Sequence, residues 1–244
     1  MRYLVITDIH ANIEALDVCL ADAATRRYDR TLVLGDIVGY GPDPNVVIDR
    51  VIGLNPAAIV RGNHDKIALG IQQAEGFNLS ARAAAQWTLN ALTPEHREWL
   101  TKLPQGPTIV DDCVEICHGS PVDEDEYIFD ELDARRAIDA STQRLCLYGH
   151  THVALVFRLA GRAIGLVPPP FDVVALDAES KYLINPGSVG QPRDSDPRAA
   201  YAIFDVEAQR LEMFRVQYPV EQTQEKMISA GLPEPLVRRL AAGR

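Results

Sequence analysis

Short apolar runs alternate with amphipathic stretches in the N-terminal part of the chain. Three of these runs predict buried strands, at Tyr3–Thr7, Thr31–Leu34 and Ala57–Val60. Between them, apolar residues recur at helical spacing, first after Asn12 and then after Asp43-Pro44, where an N-cap residue precedes a proline. Strands that alternate with helices form parallel βαβ units, so this pattern predicts an α/β sheet with helices outside it.

The pattern changes twice further along the chain. From Gly70 to Leu103 the periodicity is helical only, and Pro104 ends the last helix. Short strands separated by glycine and proline then dominate. They are predicted at Val114–Cys117, Leu145–Tyr148, Val153–Leu159, Ala163–Val167, Val173–Leu176, Tyr182–Ile184, Ala200–Asp205 and Leu211–Val216. We predict one domain over residues 1–244, with a helical insertion at about 70–104 and a helical C-terminal tail at about 220–242.

Composition and charge narrow the classes of function. The chain has 244 residues, of which 47% are hydrophobic, and its formal net charge is −10. Such an acidic surface repels a polyphosphate backbone, so sequence-independent nucleic-acid binding is not expected, and an anionic substrate needs a local positive centre. No stretch resembles a signal peptide or approaches the ~20 apolar residues of a membrane span. The four irregularly spaced cysteines indicate free thiols, so we expect a cytoplasmic protein.

Polar side chains follow five of the predicted strands, at the point where each strand ends. Five of the six histidines occupy such positions, together with two aspartates and an asparagine. Because the carboxyl ends of strands in an α/β sheet open onto one crevice, these groups are expected to converge. They are Asp8, His10, Asp36, Asn63, His64, His118, His150 and His152.

The chemistry of these groups indicates a pair of metal ions. Imidazoles and carboxylates that gather without a nucleophilic serine or cysteine pattern are typical of metal sites. Several imidazoles favour manganese, iron, zinc, nickel or cobalt over magnesium and calcium. The ligands are too many for one open catalytic ion, and Asp36 is placed to bridge two ions about 3.5–4 Å apart. We predict two divalent transition-metal ions, with manganese the one expected to be active in vitro.

In their order along the chain, these motifs resemble the signature of calcineurin-like metallophosphoesterases. The matching residues are Asp8-x-His10, Gly35-Asp36, Gly62-Asn63-His64-Asp65, His118 and Gly149-His150-x-His152. The segment Asn185–Asp194 is similar to a small prokaryotic branch of that superfamily, often described as phosphoesterases or diadenosine-tetraphosphatase-like enzymes. The resemblance implies a four-layer α-β-β-α sandwich, in which two mixed sheets pack face to face between helices.

The resemblance also implies a role for each residue. It assigns the first metal to Asp8, His10, Asp36 and His152, and the second to Asp36, Asn63, His118 and His150. It makes His64 a phosphate contact and proton donor, with Asp65 orienting the His64 ring. General chemistry agrees, because a hydroxide that bridges two ions can attack phosphorus while an adjacent imidazole protonates the leaving alkoxide.

These features predict a two-metal phosphoesterase acting on phosphodiesters or small nucleotides such as dinucleoside polyphosphates. The alternatives are a phosphomonoesterase or protein phosphatase of modest selectivity, and a non-catalytic scaffold with the same fold. Protein phosphatases of the superfamily carry Asp-Arg in the loop where this chain has Gly39-Tyr40, and Glu at the position of Asp65. The missing arginine would remove a bidentate clamp for a phosphomonoester dianion, which favours diesters and anhydrides.

Three residues are candidates for substrate contacts. Arg61 is either a phosphate ligand or a solvated charge at a strand end. Tyr40 either stacks on a base or packs within its own loop. Arg193 is expected to line the cleft together with Ser188 and Gln191 of the Asn185–Asp194 segment.

Three further residues are read as structural. Trp87 and Trp99 are expected to anchor the core, because tryptophan at helical spacing usually packs inside. His96, flanked by charged residues, is expected at the surface.

Overall fold

The computed structural model describes residues 1–71, 77–169 and 172–244. Its strands are β1 (Arg2–Ile6), β2 (Arg30–Val33), β3 (Ala58–Ile59), β4 (Thr108–Val110), β5 (Val114–Ile116), β6 (Leu145–Leu147), β7 (Leu155–Ala160), β8 (Ala163–Leu166), β9 (Val173–Ala175), β10 (Ser180–Asn185), β11 (Ala199–Asp205) and β12 (Arg210–Val216). Its helices are α1 (Ile13–Arg26), α2 (Pro44–Gly53), α3 (Asn63–Ala68), α4 (Leu79–Ala91), α5 (Pro94–Thr101), α6 (Glu131–Ala140), α7 (Val220–Ser229) and α8 (Glu234–Ala242). The sequence pattern missed β4 and α3.

The strands form two six-stranded sheets. The first has the order β3-β2-β1-β11-β12-β9, and the second has the order β4-β5-β6-β10-β7-β8. In the first sheet β1, β2 and β3 run parallel, whereas β11 is antiparallel to β1. In the second sheet β5, β6 and β10 run parallel, and β7 is antiparallel to β10. Both sheets are therefore mixed.

Alternation along the strands divides the core into layers. Val5 of β1 and Leu147 of β6 belong to one buried cluster, which fills the space between the sheets. Their neighbours point the other way: Ile6 packs with residues of α1 and α2, and Cys146 packs with residues of α6. Successive strand residues face opposite sides of a sheet, so each sheet buries both faces. The predicted four-layer α-β-β-α sandwich is confirmed.

The C-terminal helices pack against the body of the molecule. Leu236 and Leu240 of α8 share a buried cluster with Ala84 of α4 and with Tyr40, which lies in the loop after β2. Helices α4 and α5 occupy the stretch predicted as a helical insertion, of which residues 72–76 lie outside the described ranges. Within those ranges, no helix is both long enough and apolar enough to cross a membrane.

Helices α4 and α5 also carry Trp87, Trp99 and His96. Trp87 and Trp99 do pack against buried clusters, although both remain partly exposed. The surface position expected for His96 is wrong, because its side chain is only 13% exposed. Its ring nitrogens lie 2.8 Å from Asn45 Oδ1 and 2.9 Å from Asp49 Oδ1, which ties α5 to α2.

Candidate dinuclear metal centre

The two sheets deliver seven buried polar side chains to one place. Asp8 and His10 follow β1, Asp36 follows β2, and Asn63 begins α3 just beyond β3. His118, His150 and His152 follow β5 and β6 of the other sheet. These strands run parallel within each sheet, so their carboxyl ends open on the same side.

Two groups of ligand atoms overlap at Asp36. One comprises Asp8, His10, Asp36 and His152, and the other comprises Asp36, His118 and His150; within each group the ligand atoms lie within 4.8 Å of one another. Asn63 joins the second group, because its Oδ1 atom is 3.2 Å from Nε2 of His118. This division matches the assignment that the resemblance implies, with one carboxylate common to both groups.

Backbone carbonyls orient the imidazole rings. Three histidines share one arrangement, in which Nδ1–H donates to a carbonyl and Nε2 keeps its lone pair for the centre: His10 to Val38 (3.2 Å), His118 to Leu34 (2.8 Å) and His152 to Gln191 (2.7 Å). His150 is reversed, since its Nε2 lies 3.1 Å from the carbonyl oxygen of Asp125 and leaves Nδ1 as the ligand atom. Such hydrogen bonds fix the tautomer and aim of metal-binding histidines.

The donor set fits cations rather than a hydrogen-bonded polar cluster. The Oδ2 atom of Asp36 is buried without a hydrogen-bond partner among the described residues, although Nε2 of His10 is 3.5 Å away and that of His118 is 3.4 Å away. Nε2 of His10 also faces Nε2 of His152 at 3.0 Å. Lone pairs that converge in a buried space need a positive charge between them, and divalent ions would supply it.

The charges around Asp36 also indicate that a cation is needed in the centre. Burial opposes charge on this carboxylate, yet the neighbouring His118 holds the pKa of Asp36 well below its usual range. Burial likewise opposes a charge on His118, but Asp36 and Asp8 raise the pKa of His118 to about 10. The carboxylates thus demand a cation beside them, whether a proton or a metal ion.

Unusual backbone conformations aim the ligands. Five of them adopt positive φ angles: Asp8 (51°), His10 (50°), Asp36 (51°), His150 (68°) and His152 (60°). This left-handed region costs a non-glycine residue roughly 1–3 kcal/mol and persists only where the surroundings enforce it. Such clustering at one set of turns is typical of a functional site.

Asp65 does not play the role that the resemblance implies. Its Oδ1 accepts hydrogen bonds from the backbone N–H groups of Ile37 and Val38, both 3.0 Å, and its Oδ2 accepts one from Gly62 at 2.9 Å. With Gly62 as N-cap, Asp65 is the third residue of α3, where a carboxylate bonds back to the N-cap amide. Asp65 therefore positions the loop after β2 against α3 instead of orienting the His64 ring.

His64 lies in an aromatic enclosure at the centre. Its ring centroid is 4.2 Å from that of Tyr40, 4.6 Å from that of Phe77 and 5.0 Å from that of His10. Its backbone N–H donates to Oδ1 of Asp36 at 2.9 Å, which fixes the histidine beside the shared ligand. Burial lowers the pKa of His64 to about 4, so the imidazole is neutral at pH 7 until a bound anion favours its protonated form.

The glycines of the motif give His64 and Asp36 their space. A Cβ atom at Gly62 would collide with the carboxylate of Asp36, and one at Gly39, whose φ is +92°, would lie 2.7 Å from Nδ1 of His64. Glycine is therefore required at these two positions by the close approach of neighbouring groups and not by turn propensity alone.

The sequence model of the calcineurin-like phosphoesterase superfamily domain matches residues 1–209 of the chain. The chain belongs to the calcineurin-like phosphoesterase superfamily. It is 36% identical, over 98% of its length and 97% of the relative, to an uncharacterized protein of Methanocaldococcus jannaschii. A metallophosphoesterase structure from Sphaerobacter thermophilus superposes with a TM-score of 0.88 at 44% identity, over 100% of this chain and 99% of the other.

A third similar structure supports the assignment of the fold alone. The structure of a hypothetical protein from Pyrococcus horikoshii has a TM-score of 0.81 at 20% identity, over 100% of this chain and 98% of the other. As a calcineurin-like phosphoesterase with a complete Asp/His cluster, the protein is a metal-dependent hydrolase of phosphoesters.

An acidic loop between β5 and α6 covers one side of the phosphoesterase centre. Two cations anchor it: Arg61 binds Glu124 through Nε and Nη2, both at 3.0 Å, and Lys66 lies 2.9 Å from Glu124 and 2.7 Å from Asp125. In this structure the guanidinium of Arg61 is paired with Glu124, so it is neither a fully solvated charge nor directed at the centre. Through the Asp125 carbonyl, the same loop orients His150.

The segment predicted to line the cleft from the second sheet mostly supports the ligands instead. Ser188 is fully buried and donates to the carbonyl oxygen of Asp8 at 2.8 Å. Gln191 is 1% exposed, and its backbone carbonyl holds His152. Arg193 alone reaches the rim, with its guanidinium carbon 5.6 Å from the centroid of the Tyr40 ring.

Tyr40 occupies the position at which protein phosphatases of the superfamily carry an arginine, and Arg193 lies beside it. Tyr40 is 8% exposed and packs between His10 and His64, so little of its ring remains for a base and the packed alternative applies. Arg193 brings a guanidinium to the same ring from another loop. A positive charge therefore stands beside the centre even though residue 40 is not arginine.

Sequence reasoning missed an aromatic pair on the acidic loop. Tyr127 is 47% exposed and stacks on the His150 ring with a centroid distance of 3.9 Å. Phe129, 57% exposed, stacks on Tyr127 at 5.6 Å with an interplanar angle of 6°. The available signal was the presence of two aromatic residues within a stretch rich in acidic residues, because contiguous exposed apolar groups beside a cleft are typical of binding sites.

Proposed function

We propose that this phosphoesterase hydrolyses phosphodiester or phosphoanhydride bonds of small nucleotides, dinucleoside polyphosphates included. The observation that carries the proposal is the stack formed by Tyr127 and Phe129 on the ligand His150. An exposed pair of parallel rings beside a phosphate-binding centre suits a planar group attached to the phosphate. Stacking on an aromatic side chain contributes roughly 1–3 kcal/mol for each base and tolerates different bases.

The residues of the centre have distinct tasks in this proposal. The two groups that share Asp36 would hold two divalent transition-metal ions, with Asn63 completing the second group without adding negative charge. When bound, the ions lower the pKa of the attacking water and offset the charge of the phosphate. His64 protonates the leaving oxygen from its enclosure between Tyr40 and Phe77.

The choice of metals and of compartment belongs to the same proposal. Four imidazoles among seven ligands favour manganese, iron, zinc, nickel or cobalt, with manganese expected to support activity in vitro. All four cysteines are free thiols, and three of them are buried, which suits the reducing cytoplasm.

A phosphomonoesterase is the second candidate, and Arg193 is the observation that favours it. Its guanidinium beside Tyr40 supplies a positive charge that could pair with a phosphomonoester dianion. A monoesterase does not explain the exposed pair Tyr127 and Phe129. A non-catalytic scaffold accounts for still less, since it would not need a buried Asp36 oxygen that lacks a hydrogen-bond partner among the described residues.

The test compares substrates on the manganese-loaded enzyme and on a Tyr127→Ala variant. The panel is bis(p-nitrophenyl) phosphate, p-nitrophenyl phosphate, cyclic nucleotides and diadenosine polyphosphates. We expect kcat/KM for the nucleotides to exceed that for the monoester, and Tyr127→Ala to raise KM for the nucleotides by about 5- to 100-fold.

The matched control is Leu132→Ala, which removes a 71% exposed apolar side chain just beyond the same loop. It should leave KM unchanged, and metal analysis of the Tyr127→Ala protein should still find both ions. A monoester preference in the wild-type enzyme, or equal effects of the two substitutions, would argue against a nucleotide substrate.

A further inference from the structure

Two arginines from distant parts of the chain meet on one neutral oxygen. Arg193, in the loop after β10, donates from Nη2 to Oε1 of Gln191 at 2.8 Å. Arg239, on the last helix α8, donates from Nη1 to the same atom at 3.2 Å. A single amide oxygen thus holds two guanidinium groups side by side.

Neither guanidinium has an anionic partner among residues 1–71, 77–169 and 172–244. Ion pairs are common elsewhere in those ranges, and the adjacent Arg238 pairs with Glu234. Both Arg193 and Arg239 are half-buried, and Nε of Arg193 is buried without a hydrogen-bond partner in the same ranges. Burial and then the charge of Arg193 lower the pKa of Arg239. Two adjacent, partly desolvated cations in a chain with net charge −10 call for an anion.

The pair adjoins the catalytic centre. The guanidinium of Arg193 lies over Tyr40, whose ring packs on His64 at 4.2 Å and on the ligand His10 at 4.8 Å. The backbone N–H of Arg193 donates to the carbonyl of the ligand His152 at 3.0 Å. The two cations therefore belong to the rim of the same cleft rather than to a remote surface.

The positions of both arginines are fixed by the fold. Gln191 is 1% exposed, and its backbone carbonyl accepts the hydrogen bond from Nδ1 of His152. Helix α8 packs its apolar face into the cluster that contains Tyr40. The backbone N–H of Ser195 also donates to the carbonyl oxygen of Gly243 at 2.9 Å, which joins the arginine loop to the end of α8.

We propose that Arg193 and Arg239 form a second anion subsite, which binds the phosphate next to the one that is hydrolysed. The substrate class is then a nucleoside polyphosphate or another compound with adjacent phosphates, because two planar guanidinium forks match the oxygens of a phosphate better than a single charge does. This inference rests on the proposed function. Arg239 lies after residue 209, where the match to the family model ends, so the family match does not assign it a role.

Binding of two inorganic probes to the manganese-loaded enzyme tests the subsite without turnover. The probes are imidodiphosphate, which carries two linked phosphoryl groups and resists hydrolysis, and orthophosphate. Calorimetry should show that Arg239→Gln weakens imidodiphosphate binding by about 10- to 100-fold and orthophosphate binding by less than about threefold. Arg239→Lys should restore part of the lost affinity.

The matched control is Arg238→Gln, which removes the same charge from the neighbouring, 76% exposed position. It should change neither affinity. Equal losses for both probes, or equal effects of Arg238→Gln and Arg239→Gln, would overturn the subsite. Because the measurement needs no catalysis, an enzyme that prefers monoesters would refute the proposed function while the probe ratio still decides about Arg239.

Discussion

The floor and the rim of the cleft are built in different ways. The floor consists of the seven candidate metal ligands, all of which stand at or just beyond strand ends of the two sheets. The rim consists of Tyr127, Phe129, Arg193 and Arg239, which come from an acidic loop, from the loop after β10 and from the last helix. Sheet topology brings the floor residues together, whereas the rim depends on how separate segments dock.

We expect the floor to govern the rate of hydrolysis and the rim to govern the choice of substrate. Floor residues face one another at short range, as His10 faces His152 at 3.0 Å and His118 faces Asp36 at 3.4 Å, with their ligand atoms directed to a common centre. Rim residues contact the floor less directly: Tyr127 stacks on the ring of His150, and the backbone N–H of Arg193 donates to the carbonyl oxygen of His152. Changes in the floor should therefore reduce the rate on every substrate, while changes in the rim should alter the ranking of substrates.

The largest effect is expected from Asp36→Asn. An amide keeps the acceptor for the backbone N–H of His64 but cannot bridge two cations, so both ions should be lost and hydrolysis should fall roughly a thousandfold or more on all substrates. Metal analysis and kcat/KM measure this. Asp49→Asn, at a carboxylate that is 70% exposed, is the control. A variant that retained two ions would refute the shared ligand.

His64→Ala should have the next largest effect. Without the proton donor, turnover should drop by ~10²–10⁴-fold while both ions remain bound, and the loss should be smaller for p-nitrophenolate than for an alkoxide leaving group. Metal analysis and a series of leaving groups measure this. His96→Ala, which removes a half-buried histidine between α2 and α5, should keep full activity. Loss that does not depend on the leaving group would exclude proton donation.

A small effect is expected from Arg61→Gln. Arg61 anchors the acidic loop, which contacts His150 of the floor and carries Tyr127 of the rim. Its ion pair with Glu124 anchors the loop whose Asp125 carbonyl orients His150, so KM should rise about 2- to 5-fold with little change in kcat. Steady-state kinetics beside Arg136→Gln measure this; Arg136 is an exposed cation on α6 that pairs with Glu126 of the same loop. A hundredfold rise in KM would instead restore Arg61 as a direct phosphate ligand.

The floor could be predicted because its positions follow from short-range patterns. An apolar run that ends in a polar residue identifies a buried strand and its functional edge, as at Leu4–Ile6 before Asp8 and at Leu145–Leu147 before His150. Parallel strands then bring those edges together, whatever the details of the loops. The same patterns placed the observed strand ends within about two residues.

The strand pattern does not reveal the contacts of Asp65 and Arg239. Asp65 follows His64 directly, yet neighbours on a helix point in different directions, and its carboxylate turns back to Gly62. A local signal was nevertheless present for Asp65. Glycine is a common N-cap residue, and a carboxylate three residues later can bond back to the N-cap amide. Arg239 carries no such signal, since its importance arises only when α8 docks beside a loop that precedes it by more than forty residues.

The division of the ligands between two sheets has a mechanical consequence. Four of them follow strands of one sheet, namely Asp8, His10, Asp36 and Asn63. Three follow strands of the other sheet, namely His118, His150 and His152. An ion bound in either group would therefore link the two halves of the sandwich and close a loop of chain that has much greater freedom in the unfolded state. Metal binding at this centre would then stabilise the packing of the two sheets as well as serve hydrolysis.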